Sequence, residues 1–312
     1  MSIGIRAIAS FVPPGRESTE EAVFRNGGSK NEARLLDRVH GLKQIPRAAA
    51  EEKLEDLLAL ATQRLLEKVD EPTVDCIFYA HSILAQSPMG YQPLKRALEK
   101  NGLGDVPTLG ISHLNCASAI GALSLVDAAS RRYKNILMLI GDSTGFLPET
   151  RHISHSTIMG DAATAVLFDC EPDGLELLSQ AIVRDTRFYP GFYQDKEGQK
   201  EFGKVYQTRL RESLDAALGK ARVNLKDLRW IFPHNVNLTT WRRFCQQSGF
   251  PRNRVYLELL SDIGHCYCND AFLNLERALE KQILQPGDLF AVVGVGIGSF
   301  FGTAIFRSGE NI

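Results

Sequence analysis

Asn135–Ile136–Leu137–Met138–Leu139–Ile140–Gly141 and Asp288–Leu289–Phe290–Ala291–Val292–Val293–Gly294 carry one pattern, a short apolar run ending at glycine, roughly 150 positions apart. Two more pairs follow in the same order, the first at nearly that spacing and the second at a somewhat shorter one. Asp75–Cys76–Ile77–Phe78 matches Arg229–Trp230–Ile231–Phe232, and Thr164–Ala165–Val166–Leu167–Phe168 matches Thr303–Ala304–Ile305–Phe306. Buried strands resemble one another by chance, but three echoes in one order favour an internal duplication. Cys170–Glu171–Pro172–Asp173–Gly174 reads as a turn between the halves.

Around these runs, Ile3–Phe11, Val74–His81, Ala162–Phe168 and Leu228–Phe232 are also strand-like, being short, apolar and bounded by breakers. Helical periodicity fills Glu52–Lys68, Tyr91–Lys100, Ala119–Arg131, Val205–Lys220, Leu238–Ser248 and Ala271–Gln282. Alternating strands and helices predict an α/β fold with a largely buried sheet. Tyr189–Phe202 is polar and reads as an exposed loop.

The 312 residues include 36 basic and 37 acidic side chains, a balance that gives no electrostatic reason to expect nucleic acid. Six cysteines lie outside any disulfide-scaffold spacing, and the first residues lack the pattern of a signal peptide. No apolar run reaches the ~18 residues of a membrane span. A cytoplasmic protein with reduced thiols and no membrane partner is expected.

Four segments could carry chemistry. In His113–Leu114–Asn115–Cys116–Ala117–Ser118–Ala119, a strand-like approach at Thr108–Ile111 leads to a cysteine at a helix start. Free N–H groups and the positive end of the helix dipole favour a thiolate nucleophile there. Alone, the segment also fits a buried structural cysteine. In Pro233–His234–Asn235–Val236–Asn237, a histidine ends an apolar strand, where it could donate to a thioester carbonyl or merely cap a loop. Gly264–His265–Cys266–Tyr267–Cys268–Asn269–Asp270 has no second ligand pair, so no metal site is expected. Gly294–Val295–Gly296–Ile297–Gly298–Ser299–Phe300 lies between strands, which argues against a dinucleotide fingerprint. Such a turn could supply a backbone N–H to an oxyanion, or be a simple tight turn.

Together these segments resemble β-ketoacyl-acyl-carrier-protein synthase III of the thiolase superfamily. Gly41–Leu42–Lys43 with Ala48–Ala49–Ala50–Glu51 is similar to an early Gly-Ile-Arg and Ala-rich signature. Asn115–Cys116–Ala117–Ser118–Ala119 resembles the nucleophile turn, and Gly160–Asp161–Ala162–Ala163–Thr164–Ala165–Val166 a Gly-Asp-Gly-Ala-Gly-Ala strand start. Pro233–His234–Asn235–Val236–Asn237–Leu238 resembles Pro-His-Gln-Ala-Asn, and Gly296–Gly302 the terminal Gly-rich turn. The resemblance spans nearly the whole chain. It implies a duplicated thiolase-like fold, two similar βαβαβαββ halves in a five-layer α-β-α-β-α arrangement, and a homodimer. Residues 1–172 would carry the nucleophilic Cys116, and 173–312 the catalytic His234 and His265.

The resemblance also implies a reaction. Cys116 takes an acyl group from acyl-CoA or a phosphopantetheine-linked acyl carrier protein. The group then passes to a malonyl-type thioester by decarboxylative Claisen condensation, with no cofactor. Cys116 and Gly298 N–H groups would form the oxyanion hole. His265 stands where the family has asparagine, giving a Cys-His-His set and leaving open acyl transfer to a hydroxyl or amine. A non-catalytic, carrier-binding partner of another ketosynthase is the third reading. Asn269 is a spare candidate for the missing asparagine. Asn237, Ser87 and Met89 are possible substrate contacts, Ser87 standing where the family has an acyl-pocket phenylalanine. Arg242 and Arg243 could meet an acidic carrier or a phosphate, one turn beyond the family's arginine position, here Thr239.

Overall fold

The structure, a computed structural model, describes residues 2–70, 72–144, 151–170 and 174–310. Nine strands are hydrogen-bonded in one continuous order. They are β1 (Gly4–Phe11), β2 (Cys76–Ala80), β3 (Thr108–Ile111), β4 (Ile136–Asp142), β5 (Ala162–Asp169), β6 (Leu175–Arg184), β7 (Leu228–Phe232), β8 (Leu289–Gly296) and β9 (Phe300–Ser308). The order is β7-β8-β9-β6-β1-β5-β4-β2-β3. The main helices are α1 (Leu54–Glu67), α2 (Pro93–Lys100), α3 (Ser118–Ala129), α4 (Lys196–Ala221), α5 (Leu238–Ser248) and α6 (Asp270–Glu280).

The order contains one pattern twice. In the first part β1, β5 and β4 run antiparallel in turn, and β4, β2 and β3 are parallel. In the second part β6, β9 and β8 run antiparallel in turn, and β8 and β7 are parallel. A parallel bridge from Ile231 to Val255 takes the place of β3. The sequence echoes fall on β2 and β7, β4 and β8, and β5 and β9, at equivalent positions. The parts meet at two residue pairs, Gly4 with Glu176 and Ile5 with Leu175. The expected boundary at 172/173 lies outside the described residues.

Strands β4, β5, β8 and β9 are buried on both faces, so they read as nearly continuous apolar runs. Along β4, Ile136, Met138 and Ile140 point to the central core, which holds α3 and α6, whereas Leu137 and Leu139 point to α1. Along β8, Phe290 and Val292 face that central core, and Ala291, Val293 and Val295 face α4 and α5. Period-two alternation thus packs one helical layer between the sheets and one outside each, the five layers expected.

Two expectations on elements change. Strand β6 had no clear signal, because its burial is mixed and its charged and polar residues dilute the apolar pattern. Tyr189–Phe202 is not a loop throughout. Asp195 caps α4 by accepting from Gly198 N at 2.8 Å, so the helix begins at Lys196, nine residues before the Val205 expected.

Candidate active site

The nucleophile turn forms where β3 delivers the chain to α3. Asn115 adopts φ 53°, a left-handed conformation that asparagine tolerates better than most residues. Its Nδ2 donates to Ser82 O at 3.3 Å. Cys116 follows in a short 3-10 turn ahead of α3 and is buried. Its thiol and its backbone N–H both donate to Asn115 Oδ1, at 3.3 and 3.0 Å. The N–H expected to hold an oxyanion is therefore engaged by its neighbour's side chain, which must release it when substrate arrives.

The hairpin between β8 and β9 closes over this turn. A Cβ on Gly296 would lie 1.9 Å from Leu114 O, and one on Gly294 would lie 3.1 Å from Cys116 O. These two glycines let the second sheet touch the backbone around the thiol. Gly298, the expected oxyanion donor, has φ 91° and turns the hairpin; its nearest side-chain neighbour is Phe300. Its glycine is thus explained by the turn.

His265 is delivered by Gly264, whose φ 56° and ψ −139° suit glycine alone. A Cβ there would also lie 2.7 Å from Ile45 Cγ2. The His265 backbone is clamped, its N–H donating to Ile158 O and its carbonyl accepting from Gly160 N. In the buried ring, Nδ1 meets Asp270 Oδ2. The same carboxylate accepts from Asn235 N and Cys266 N, both at 2.5 Å. Burial alone would push the His265 pKa down. The Asp270 carboxylate outweighs it, and a hydrogen bond with Cys116 adds to the effect, carrying the pKa to about 10. His265 is therefore an oriented imidazolium at neutral pH, in contact with the thiol.

His234 has the opposite character. It is 2% exposed, its ring centroid 6.3 Å from that of His265. Burial, then the positive neighbour His265, hold its pKa well below the usual value, so it is neutral. Its loop is pinned from both sides. Trp241 Nε1 donates to His234 O at 3.0 Å, and Asn274 Nδ2 donates to Pro233 O at 2.9 Å. Its Nε2 lies 2.7 Å from Tyr206 Oη on α4, and its Nδ1 has no partner among the described residues.

The structure thus gathers Cys116, His234 and His265, and adds Asp270 and Tyr206, to which the sequence reading gave no role. Asp270 had a usable signal, a carboxylate opening α6 five residues after His265. Tyr206 had none, since its helix position reads as ordinary amphipathic packing.

The remaining candidates have other occupations. Asn237 caps α5, accepting from Thr240 N at 2.8 Å while its Nδ2 donates to Ser156 O at 3.1 Å, so its amide is spent on structure. Asn269 Nδ2 donates to Cys266 O and Ala162 O, and so replaces no catalytic asparagine. Met89 is fully exposed. Ser87 borders a surface cleft of about 470 Å³ with Tyr79, His81 and Leu98. The side chains packed about Cys116 are instead Ile83, Met159 and Tyr267. Arg242 and Arg243 are exposed on α5, and Arg243 lies near enough to His40 to join burial in lowering that ring's pKa. Thr239 bonds the same ring, its Oγ1 2.9 Å from Nδ1. Among the described residues no group of three or more His, Cys, Asp or Glu could hold a metal, and no helix is long and apolar enough to cross a membrane.

Residues 218–308 match the model of the 3-oxoacyl-[acyl-carrier-protein] synthase III C-terminal family. The β-ketoacyl-[acyl-carrier-protein] synthase III of Staphylococcus saprophyticus is 22% identical, over 99% of this chain and 100% of its own. That of Coxiella burnetii is 26% identical over 65% and 67%. Among solved structures, the acyltransferase ChlB3 superposes with TM-score 0.84 at 22% identity, covering 99% of this chain and 98% of that one. The 3-oxoacyl-(acyl carrier protein) synthase III of Pseudomonas aeruginosa superposes with TM-score 0.83 at 20% identity, over the full length of both. The repeated strand order and these matches agree: the chain has the fold of the 3-oxoacyl-[acyl-carrier-protein] synthase III structures, and its residues 218–308 resemble the C-terminal part of that family.

Proposed function

We propose that the protein is a condensing enzyme that loads an acyl group onto Cys116 and transfers it to a malonyl-type thioester. The observation that carries this reading is the buried grouping of Cys116, His234 and His265, in which Asp270 holds the His265 ring and the His234 ring lies opposite at 6.3 Å between centroids. Thiolate attack on an acyl thioester expels the donor thiol and leaves the acyl group on sulfur. As the malonyl carboxylate departs as carbon dioxide, negative charge develops on the acceptor's carbonyl oxygen. The imidazolium of His265 stabilises it, and the enolate carbon attacks the Cys116 thioester. His234 is neutral and suited to donating a hydrogen bond rather than a charge. The Cys116 N–H exchanges Asn115 Oδ1 for the oxyanion of each tetrahedral intermediate.

Acyl transfer to a hydroxyl or amine is a second reading, favoured by one observation. Neutral His234 keeps one ring nitrogen, Nδ1, without a partner among the described residues, and an unprotonated imidazole nitrogen is what a general base toward such an acceptor requires. Likeness in fold to an acyltransferase, ChlB3, is compatible with it.

Acyl-CoA and acyl carrier protein are the proposed donors, by analogy with the named synthases. A homodimer is proposed because β3 is an exposed edge strand bordered by the exposed apolar side chains Leu84 and Leu109. A cytoplasmic setting fits six free cysteines.

The test is intact mass after incubation with acetyl-, octanoyl- and lauroyl-CoA and their acyl-carrier counterparts, with Cys116→Ala alongside. One added acyl group, absent in the variant, is expected. Carbon dioxide release on adding malonyl-CoA separates condensation from transfer to oxygen or nitrogen. No adduct with any donor counts against the reading.

A further inference from the structure

His234 Nε2 is already occupied. Tyr206 Oη lies 2.7 Å from it, and His234 Nε2 is the only hydrogen-bond partner of that hydroxyl among the described residues. The tyrosine ring is fixed by edge contacts with Phe202 and Phe301, at centroid distances of 5.6 and 5.3 Å. Its hydroxyl therefore cannot leave the nitrogen without disturbing an aromatic cluster. Tyr206 keeps partial solvent exposure, whereas His234 is 2% exposed.

The hydrogen bond also has a direction. Neutral His234 carries one ring proton. With that proton on Nδ1, a buried N–H would have no acceptor, since Nδ1 is unpartnered. With it on Nε2, the ring donates to Tyr206 Oη, and the donor left over is the phenolic O–H of the partly exposed Tyr206 rather than an N–H of the buried His234 ring. An orphaned donor costs more the more deeply it is buried. The favoured tautomer thus has His234 donating to Tyr206, and the phenolic proton is left without an acceptor in the protein.

We infer that the Tyr206 hydroxyl, backed by His234 Nε2–H, donates the hydrogen bond to the carbonyl oxygen of the incoming thioester, so that His234 acts through the tyrosine. This deepens the proposed function and rests on it. In the step served, the bond from the malonyl carboxylate carbon to the α-carbon breaks and carbon dioxide leaves. Its electron pair becomes the enolate, whose oxygen is held by Tyr206 Oη–H and His265. The enolate carbon then bonds to the acyl carbon on Cys116, the C–S bond breaks, and the sulfur leaves as thiolate. Tyr206 keeps its proton throughout. His234, donating to the phenolic oxygen, strengthens the phenol as a donor.

The two half-reactions separate this inference from the reading beneath it. Cys116 acylation by octanoyl-CoA is followed by intact mass, and discharge by carbon dioxide release on adding malonyl-CoA. Tyr206→Phe is expected to acylate as the wild type does, and to lose about 10²-fold in the kcat of discharge, the scale of one oxyanion donor, with KM for malonyl-CoA within about threefold. On the Tyr206→Phe background, His234→Ala is expected to cost less than about threefold more, because the two groups act as one unit. Normal discharge by Tyr206→Phe overturns the inference, as does a double variant whose loss is the product of the two single losses. Wild-type protein that is not acylated, or that acylates and releases no carbon dioxide, overturns the condensation reading and the inference with it.

Discussion

Asp270→Asn tests the electrostatics of the site most directly. The carboxylate binds the His265 ring and the N–H groups of Asn235 and Cys266, tying the segments of both histidines to the first residue of α6. The folded pKa of His265 is about 10, raised above the ordinary imidazole value. A raised histidine stabilises the fold fully below its unfolded pKa, and that contribution is lost as pH rises through the folded pKa. With an unfolded value of about 6.5, the shift corresponds to at most about 5 kcal/mol, of which roughly 4 kcal/mol disappears between pH 6 and pH 9.5. In the variant the carboxylate charge is gone and burial dominates, so His265 titrates below its ordinary value and makes no such contribution. The stability difference between wild type and Asp270→Asn should therefore be largest near pH 6, on the order of 4 kcal/mol, and shrink toward pH 9.5. Urea unfolding at the two pH values, followed by the fluorescence of Trp230 and Trp241, measures it. A variant that folds only at the higher pH would be the extreme form of the expected result. A difference independent of pH would refute the assignment of the imidazolium to this pair.

Asp142 is buried among Ser82, Ile83 and Cys268, and desolvation raises its pKa to about 7. A raised carboxyl stabilises below its unfolded pKa and loses that contribution as pH rises through 7, so Asp142→Asn should raise Tm at pH 8 relative to wild type more than at pH 5, by calorimetry. Gly296→Ala would place a methyl 1.9 Å from Leu114 O and so displace the nucleophile turn; acylation of Cys116 should slow by at least about 10²-fold. Gly203→Ala in α4, where a Cβ meets nothing within 4 Å, should instead stabilise by about 0.5–1 kcal/mol and leave acylation unchanged. Asn237→Ala should cost about 1 kcal/mol in urea unfolding through loss of the α5 cap, with KM for the acyl donor unchanged; a raised KM would restore its role as a substrate contact.

The sequence by itself determined the architecture and picked out the three side chains, Cys116, His234 and His265, that the fold brings together. Three echoed apolar runs became equivalent strands of two sheets, because a strand buried on both faces is written as a continuous local pattern. Asn115–Cys116 at a helix start and Gly264–His265 were legible for a similar reason, since each turn needs particular residues at particular positions. Only the tertiary structure decided which side chains face one another. Tyr206 reaches His234 across 28 positions because α4 packs on β6 and β9 and beside α5, the helix that follows the His234 loop. Gly296, and not Gly298, abuts the nucleophile turn because the second sheet closes onto the start of α3. Asn237 has the residue type of a substrate contact, yet its amide serves the cap of α5 and Ser156 O. Local sequence fixes backbone conformation and the direction of each side chain from its own element. The meeting of two directions depends on how the two sheets and their shared helices are stacked.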